Sequence, residues 1–138
     1  MPGAFVLDNS VAISWCFPEE RRATLAVLDS LATREALVPS IWPLELGNAL
    51  AVAERGKRLT AGDLSGFLSF FSQLPIRVEP ETPSRQLKQI LSLAREHGLS
   101  TYDASYLDLA MRLALPLASL DKDLSRAARR AGVKEFRP

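Results

Sequence analysis

The sequence holds one cysteine, Cys16, and one histidine, His97. No intrachain disulfide can form, no cysteine-based zinc site can be built, and a histidine-rich metal cage is excluded. Long apolar runs are missing as well. The longest stretch without a charged residue, 64–76, is too short to span a bilayer as a helix. The first eight residues carry no basic leader and reach Asp8 too early for a signal peptide, so the cytoplasm is the expected compartment. Neither sign of charge dominates: 17 Lys+Arg against 16 Asp+Glu give a formal +1. That balance neither announces nor excludes a nucleic-acid binder. Repeats, low-complexity tracts and Gly/Ser linkers are also absent. What remains is 138 residues, 47% hydrophobic and 24% charged, the composition of a single folded domain spanning 1–138.

The apolar residues alternate between two periods. Ala4–Leu7, Ala36–Val38, Ile76–Val78 and Leu117–Leu120 are short apolar runs of strand length, and Val133–Phe136 suits a last edge strand. Between them lie helical patterns: a stretch after Pro18 with Leu25, Leu28, Leu31 and Ala32 in phase, and one from Pro43 to Arg55 ending at Gly56. Thr60 and Asp63 have capping-box spacing ahead of Leu64–Leu74. Thr82-Pro83 opens a helix closed by Gly98, Thr101 caps one containing Tyr102–Arg112, and another follows Asp121 to Ala131. Short apolar strands separated by helices imply an α/β fold, three layers deep, around a mostly parallel sheet of four to five strands.

On that frame the acids gather. Asp8 and Asp121 directly follow apolar strands, and Glu45 and Asp103 lie in the first turns of helices. All four therefore point toward the carboxyl edge of the sheet, where open parallel sheets bind ligands. An acid at a helix start serves capping and the helix dipole, but four at one end repel one another unless a cation neutralises them. Oxygen-only ligation suits Mg²⁺ or Mn²⁺, in a centre of the kind that activates water against a phosphodiester. Ser10, two residues after Asp8, is placed to orient that carboxylate or to cap a helix. Asn48 shares a helix face with Glu45, and Ser119 lies on the same side of its strand as Asp121. Asp108 should face away from Asp103, and Asp123 stays undecided between the site and a plain helix start. His97 reads as a surface residue, Cys16 as a small buried hydrophobe, and Trp15, Trp42 and Tyr106 as core fillers.

These segments resemble a known family. Val6-Leu7-Asp8-Asn9-Ser10-Val11-Ala12 is similar to the opening motif of PIN-domain ribonucleases, particularly VapC-type toxins of toxin–antitoxin pairs. Glu45-Leu46-Gly47-Asn48-Ala49-Leu50, Tyr102-Asp103-Ala104-Ser105-Tyr106-Leu107 and Leu117-Ala118-Ser119-Leu120-Asp121 follow in the family's order. Ala127-Ala128 and Gly132-Val133 suit its closing helix and strand; Ser119 stands where these toxins more often carry threonine. The resemblance implies that Asp8, Glu45, Asp103 and Asp121 are catalytic, metal-binding acids supported by Ser10, Asn48 and Ser119. It also implies a Mg²⁺- or Mn²⁺-dependent endoribonuclease that hydrolyses RNA with a metal-activated water, inhibited by a cognate antitoxin and dimeric. Two alternatives compete: a metal-dependent phosphatase on a similar sheet, and a non-catalytic PIN-like module that binds RNA or protein. The phosphatase signature wants a second Asp where Ser10 stands. The apolar stripe Leu64, Phe67, Leu68 and Phe71, widened by Phe70 and Leu74, is expected to help form the dimer or the antitoxin groove.

Overall fold

The computed structural model describes residues 3–138. Three residues at the start of the chain, Phe5–Leu7 (β1), are buried on both sides, so they pair within the sheet rather than at its edge. Ala36–Pro39 (β2) lies on one flank of β1, and Leu117–Ala118 (β4) on the other. Ile76–Glu79 (β3) pairs with the outer side of β2. All pairings are parallel, in the order β3-β2-β1-β4, with Phe5 opposite Ala36 and Val6 opposite Leu117.

Parallel neighbours require crossovers, and helices supply them on the flanks of the sheet. Asn9–Ser14 (α1), Pro18–Arg21 (α2) and Leu25–Ser30 (α3) link β1 to β2. Trp42–Arg55 (α4) buries Trp42, Leu46, Leu50 and Ala53, one stripe at helical spacing, and Ala61–Ser72 (α5) packs on it. Thr60 and Asp63 close the expected capping box at the start of α5. After β3 come Pro83–Arg85 (α6), a π-helical turn Gln86–Ile90 and Leu91–His97 (α7), ended by Gly98 at φ 66°, a left-handed position that glycine takes without a Cβ penalty. Thr101–Leu113 (α8) buries every residue from Ala104 to Ala110 and packs on β1, β2 and β4, between α7 and the last helix, Lys122–Arg130 (α9). The result is the three-layer α/β/α arrangement around a parallel four-stranded sheet.

Several local expectations are corrected. The helix after Pro18 is two pieces, because the buried Thr24 is gripped from α1 and the residue after it. Its Oγ1 lies 2.6 Å from Ser14 Oγ, and its carbonyl accepts the Trp15 indole N–H at 3.2 Å. Ser100, not Thr101, caps α8, its hydroxyl accepting the Asp103 N–H at 3.0 Å. The last strand stops at Ala118, two residues short of the expected end, because the chain from Ser119 onward turns to cap α9. Residues 133–136 contribute one isolated bridge, Glu135 with Leu117, rather than a fifth strand. His97 is largely covered, its side chain 11% exposed and 3.4 Å from Glu96.

Candidate active site

The strand order marks the crevice where an open α/β sheet usually takes a ligand. The chain steps from β1 outward to β2 and β3, then returns to the opposite side of β1 for β4. The crevice outside the strand ends at such a reversal is the usual ligand site of an open α/β sheet. Asp8 follows β1 and Asp121 follows β4, so one acid stands on each side of that reversal.

Asp8 is 4% exposed and held by two hydroxyls. Ser10 and Ser119 both donate to its Oδ2, at 2.6 and 2.8 Å. The same two hydroxyls accept backbone N–H groups from the next turn, Ser10 from Leu120 at 2.9 Å and Ser119 from Asp121 at 3.0 Å. Ser10 is thus an orienting residue inside α1 and not its cap, a position occupied by Asp8 itself. Asp121 caps α9, its Oδ1 accepting from the Leu124 N–H at 2.9 Å. Burial pushes the Asp8 carboxyl above its usual value and Asp121 adds to the rise, against the two hydroxyls, which favour the charged form.

Glu45 projects from the first turn of α4, half-buried. Its Oε1 accepts a 2.6 Å hydrogen bond from the hydroxyl of Tyr106, a side chain fully buried in α8. Burial raises the Glu45 carboxyl, the Tyr106 bond lowers it, and Asp8 raises it again. The Tyr106 phenol is pushed up by burial and by the Glu45 charge, so it stays protonated and donates. This contact was hidden in the sequence. Tyr106 reads there as core filling, and only its spacing of three from Asp103 on one helix hinted at a place in the crevice.

Asp103 completes the group. Its carboxyl is pushed up to about 6, by burial first and then by Asp8, Asp121, Glu45 and Asp123 in that order. The structure thus brings the four expected acids to one crevice, close enough that their charges add to the rise of the Asp8, Glu45 and Asp103 carboxyls. Among the described residues no Lys or Arg pairs with any of the four. The donor set, hard oxygens with unneutralised charge, fits a divalent cation. As they stand, no three His, Cys, Asp or Glu side chains among the described residues are close enough to grip one ion.

The remaining candidates separate clearly. Asn48 is exposed and makes no hydrogen bond to the acids among the described residues. Asp108 faces away, as its position on the helix requires. It is buried and takes Arg85 through two bonds, 2.7 and 2.9 Å, and Arg112 at 3.1 Å. Asp123 is exposed, paired with Arg126 at 3.3 Å, and reaches the site only through its charge on Asp103.

The family model described as PIN domain matches residues 5–130, which include every one of these acids. The chain belongs to the PIN-domain family. Ribonuclease VapC3 of Pyrobaculum aerophilum is 30% identical over 124 residues, covering 87% of this chain and 91% of that protein. This PIN domain also shares its fold with solved structures. One is VapC20 of Mycobacterium tuberculosis, described as a Sarcin-Ricin loop cleaving toxin. It has a TM-score of 0.68 and 18% identity, with 97% of this chain and 99% of that one covered. Another is VapBC2 of Rickettsia felis bound to a DNA fragment from their promoter. There the TM-score is 0.66 at 9% identity, with 96% of this chain and 97% of that one covered.

Proposed function

We propose that this PIN domain, acting as one unit over 1–138, is a Mg²⁺- or Mn²⁺-dependent endoribonuclease and the toxin of a type II toxin–antitoxin pair. The observation that carries the reading is the crevice itself. Asp8 is fixed at the strand reversal by Ser10 and Ser119, with Glu45, Asp103 and Asp121 around it and no cationic side chain among the described residues to neutralise them. Membership of the family and the likeness to a ribonuclease over most of the chain support it.

Asp8, Glu45, Asp103 and Asp121 would hold the cation, which when bound supplies water activation and neutralises charge developing at a scissile phosphate. The chain's own residues do the positioning. Two serine hydroxyls keep Asp8 from rotating, and a buried tyrosine hydroxyl keeps Glu45 turned toward the crevice. Asn48, exposed and away from these contacts, keeps at most a role toward substrate.

The partners follow from surfaces. RNA is the substrate, a cognate antitoxin the inhibitor, and a second copy of the chain the dimer mate, in the cytoplasm; no helix among the described residues is long and apolar enough to cross a membrane. We place the antitoxin or the second copy on α5. Phe71 is buried there against Trp15 and Trp42, Leu68 stays 54% exposed, and Phe67 and Phe70 join Trp15, Leu25 and Leu28 in lining a groove of about 450 Å³.

The test is incubation of a mixed RNA pool with the protein in Mg²⁺, Mn²⁺ or EDTA, beside Asp8→Asn. Cleavage confined to the metal-containing wild-type reactions is the expected result. Cleavage in EDTA, or by Asp8→Asn at the wild-type rate, would refute the assignment.

A further inference from the structure

The sequence shows two basic groups, and the structure treats them differently. The first is the short cluster Arg55, Lys57 and Arg58, of which Arg58 is already used: it pairs with Glu19 at 2.8 Å and Glu20 at 3.2 Å, and its guanidinium lies 3.8 Å over the Phe17 ring. The second, at the end of the chain, is left open. Residues 122–138 hold six Lys or Arg and two acids, a net +4 in a chain of +1 overall. Lys122, Arg129, Arg130 and Lys134 have no acid within ion-pair distance among the described residues. The two acids present, Asp123 and Glu135, pair with Arg126 at 3.3 Å and Arg137 at 3.5 Å through mostly exposed side chains, contacts that release easily to a stronger anion.

The placement of these cations is ordered. Leu124, Ala127 and Ala128 bury one face of α9. Lys122, Arg126 and Arg129, spaced i, i+4 and i+7, run along the opposite face over about 10 Å. Beyond the helix, the segment 133–137 runs back parallel to β4 and leaves a trough of about 550 Å³ against α9, lined by Arg129, Lys134 and Arg137. The helix begins at Asp121, one of the four acids of the crevice, and the stripe Lys122, Arg126 and Arg129 leads from there along α9 to the trough, which lies beside Leu117 at the start of β4.

We propose that α9 and the segment after it form a rail for the phosphodiester backbone of the RNA strand being cut, with Arg129, Lys134 and Arg137 contacting phosphates on one side of the scissile bond. The inference rests on the ribonuclease reading and adds the substrate's path. A polyanion that must approach four carboxylates needs compensating positive charge nearby, and this surface supplies it. A protein partner fits it less well. Protein interfaces centre on apolar and aromatic anchors, and no large hydrophobic side chain is exposed between Lys122 and Pro138.

The experiment measures binding of a single-stranded RNA of about 20 nucleotides, by fluorescence anisotropy in EDTA, across a salt series. It compares wild type with Arg129→Gln/Lys134→Gln/Arg137→Gln. The control is Arg55→Gln/Lys57→Gln/Arg95→Gln, which removes the same charge from exposed positions elsewhere. Each lost phosphate contact lowers the salt slope by roughly 0.7, about 2 for all three. The wild-type advantage over the rail variant then shrinks roughly 20-fold between about 50 and 200 mM salt. The control should keep the wild-type slope. Equal slopes for the two triple variants, or no RNA binding by wild type, overturn the rail. Because binding is read without metal, failure of the rail leaves the ribonuclease reading untouched, since cleavage by wild type tests that separately. Absence of cleavage by wild type sinks the ribonuclease reading whatever the slopes show.

Discussion

Replacing Asp103 by asparagine should make the metal-free protein more stable at neutral pH while destroying its activity. The carboxyl of Asp103 is raised from 3.8 to about 6 in the folded chain, by burial and then by Asp8, Asp121, Glu45 and Asp123. Between those values the folded state holds a proton that the unfolded state has released. Stability from this group is therefore complete below about pH 4 and is lost as pH rises through about 6. A shift of that size corresponds to about 3 kcal/mol at full strength. Asp103 is only partly buried, and screening reduces the cost to about 1 kcal/mol. The asparagine variant escapes this cost but forfeits a favourable charge in the first turn of α8, worth roughly 0.5 kcal/mol. The net gain at pH 7.5 is about 0.5 kcal/mol, a rise in Tm of roughly 2 °C for a chain of this size. Thermal melts in EDTA at pH 7.5 and pH 4 read both ends of the range, and the gap should close at the acid end. Mn²⁺ at about 100 times its Kd should stabilise wild type by about 2.7 kcal/mol and the variant much less. A variant less stable than wild type at pH 7.5 in EDTA, with Mn²⁺ shifting both alike, would mean that Asp103 serves the start of its helix and not a cation.

Two further substitutions probe the groups around the crevice. Tyr106→Phe removes the hydroxyl that holds Glu45; we expect about 1 kcal/mol lost in urea unfolding, weaker Mn²⁺ binding by calorimetry and roughly tenfold lower kcat, and unchanged Mn²⁺ affinity would contradict the positioning role. Asp108→Ala strands Arg85 and Arg112 beside a buried site, so urea unfolding should show a loss of about 3 kcal/mol, while Asp8 and Glu45 keep their hydroxyl partners; a loss under about 1 kcal/mol would show that water replaces the pair.

The parts of this molecule that could be read in advance are those set by neighbours in the chain. Asp8 and Asp121 follow apolar strands, and the capping box of Thr60 and Asp63 is complete within four residues. Such signals survive without knowledge of the tertiary structure. Contacts between distant segments did not show. Tyr106 meets Glu45 across 61 positions, and Ser119 meets Asp8 across 111, so nothing local announces either bond. The break between α2 and α3 has the same origin: Leu25, Leu28 and Leu31 keep a helical phase, but Ser14 and Trp15 bind Thr24 and turn the backbone. The short β4 likewise reflects the cost of leaving the first N–H groups of α9 uncapped, which the apolar run Leu117–Leu120 does not reveal.

The two serines that hold Asp8 use the same oxygen, Oδ2. An asparagine at position 8 still offers one carbonyl oxygen, so it can receive both hydroxyls with the turn at 119–121 undisturbed, whereas alanine would leave both without an acceptor. Charge and scaffold are therefore separable at the centre of this crevice. An inactive form made by the amide exchange should retain the shape of this PIN domain, and under the proposed function a cell could be given that form as a decoy for an antitoxin without the burden of a nuclease.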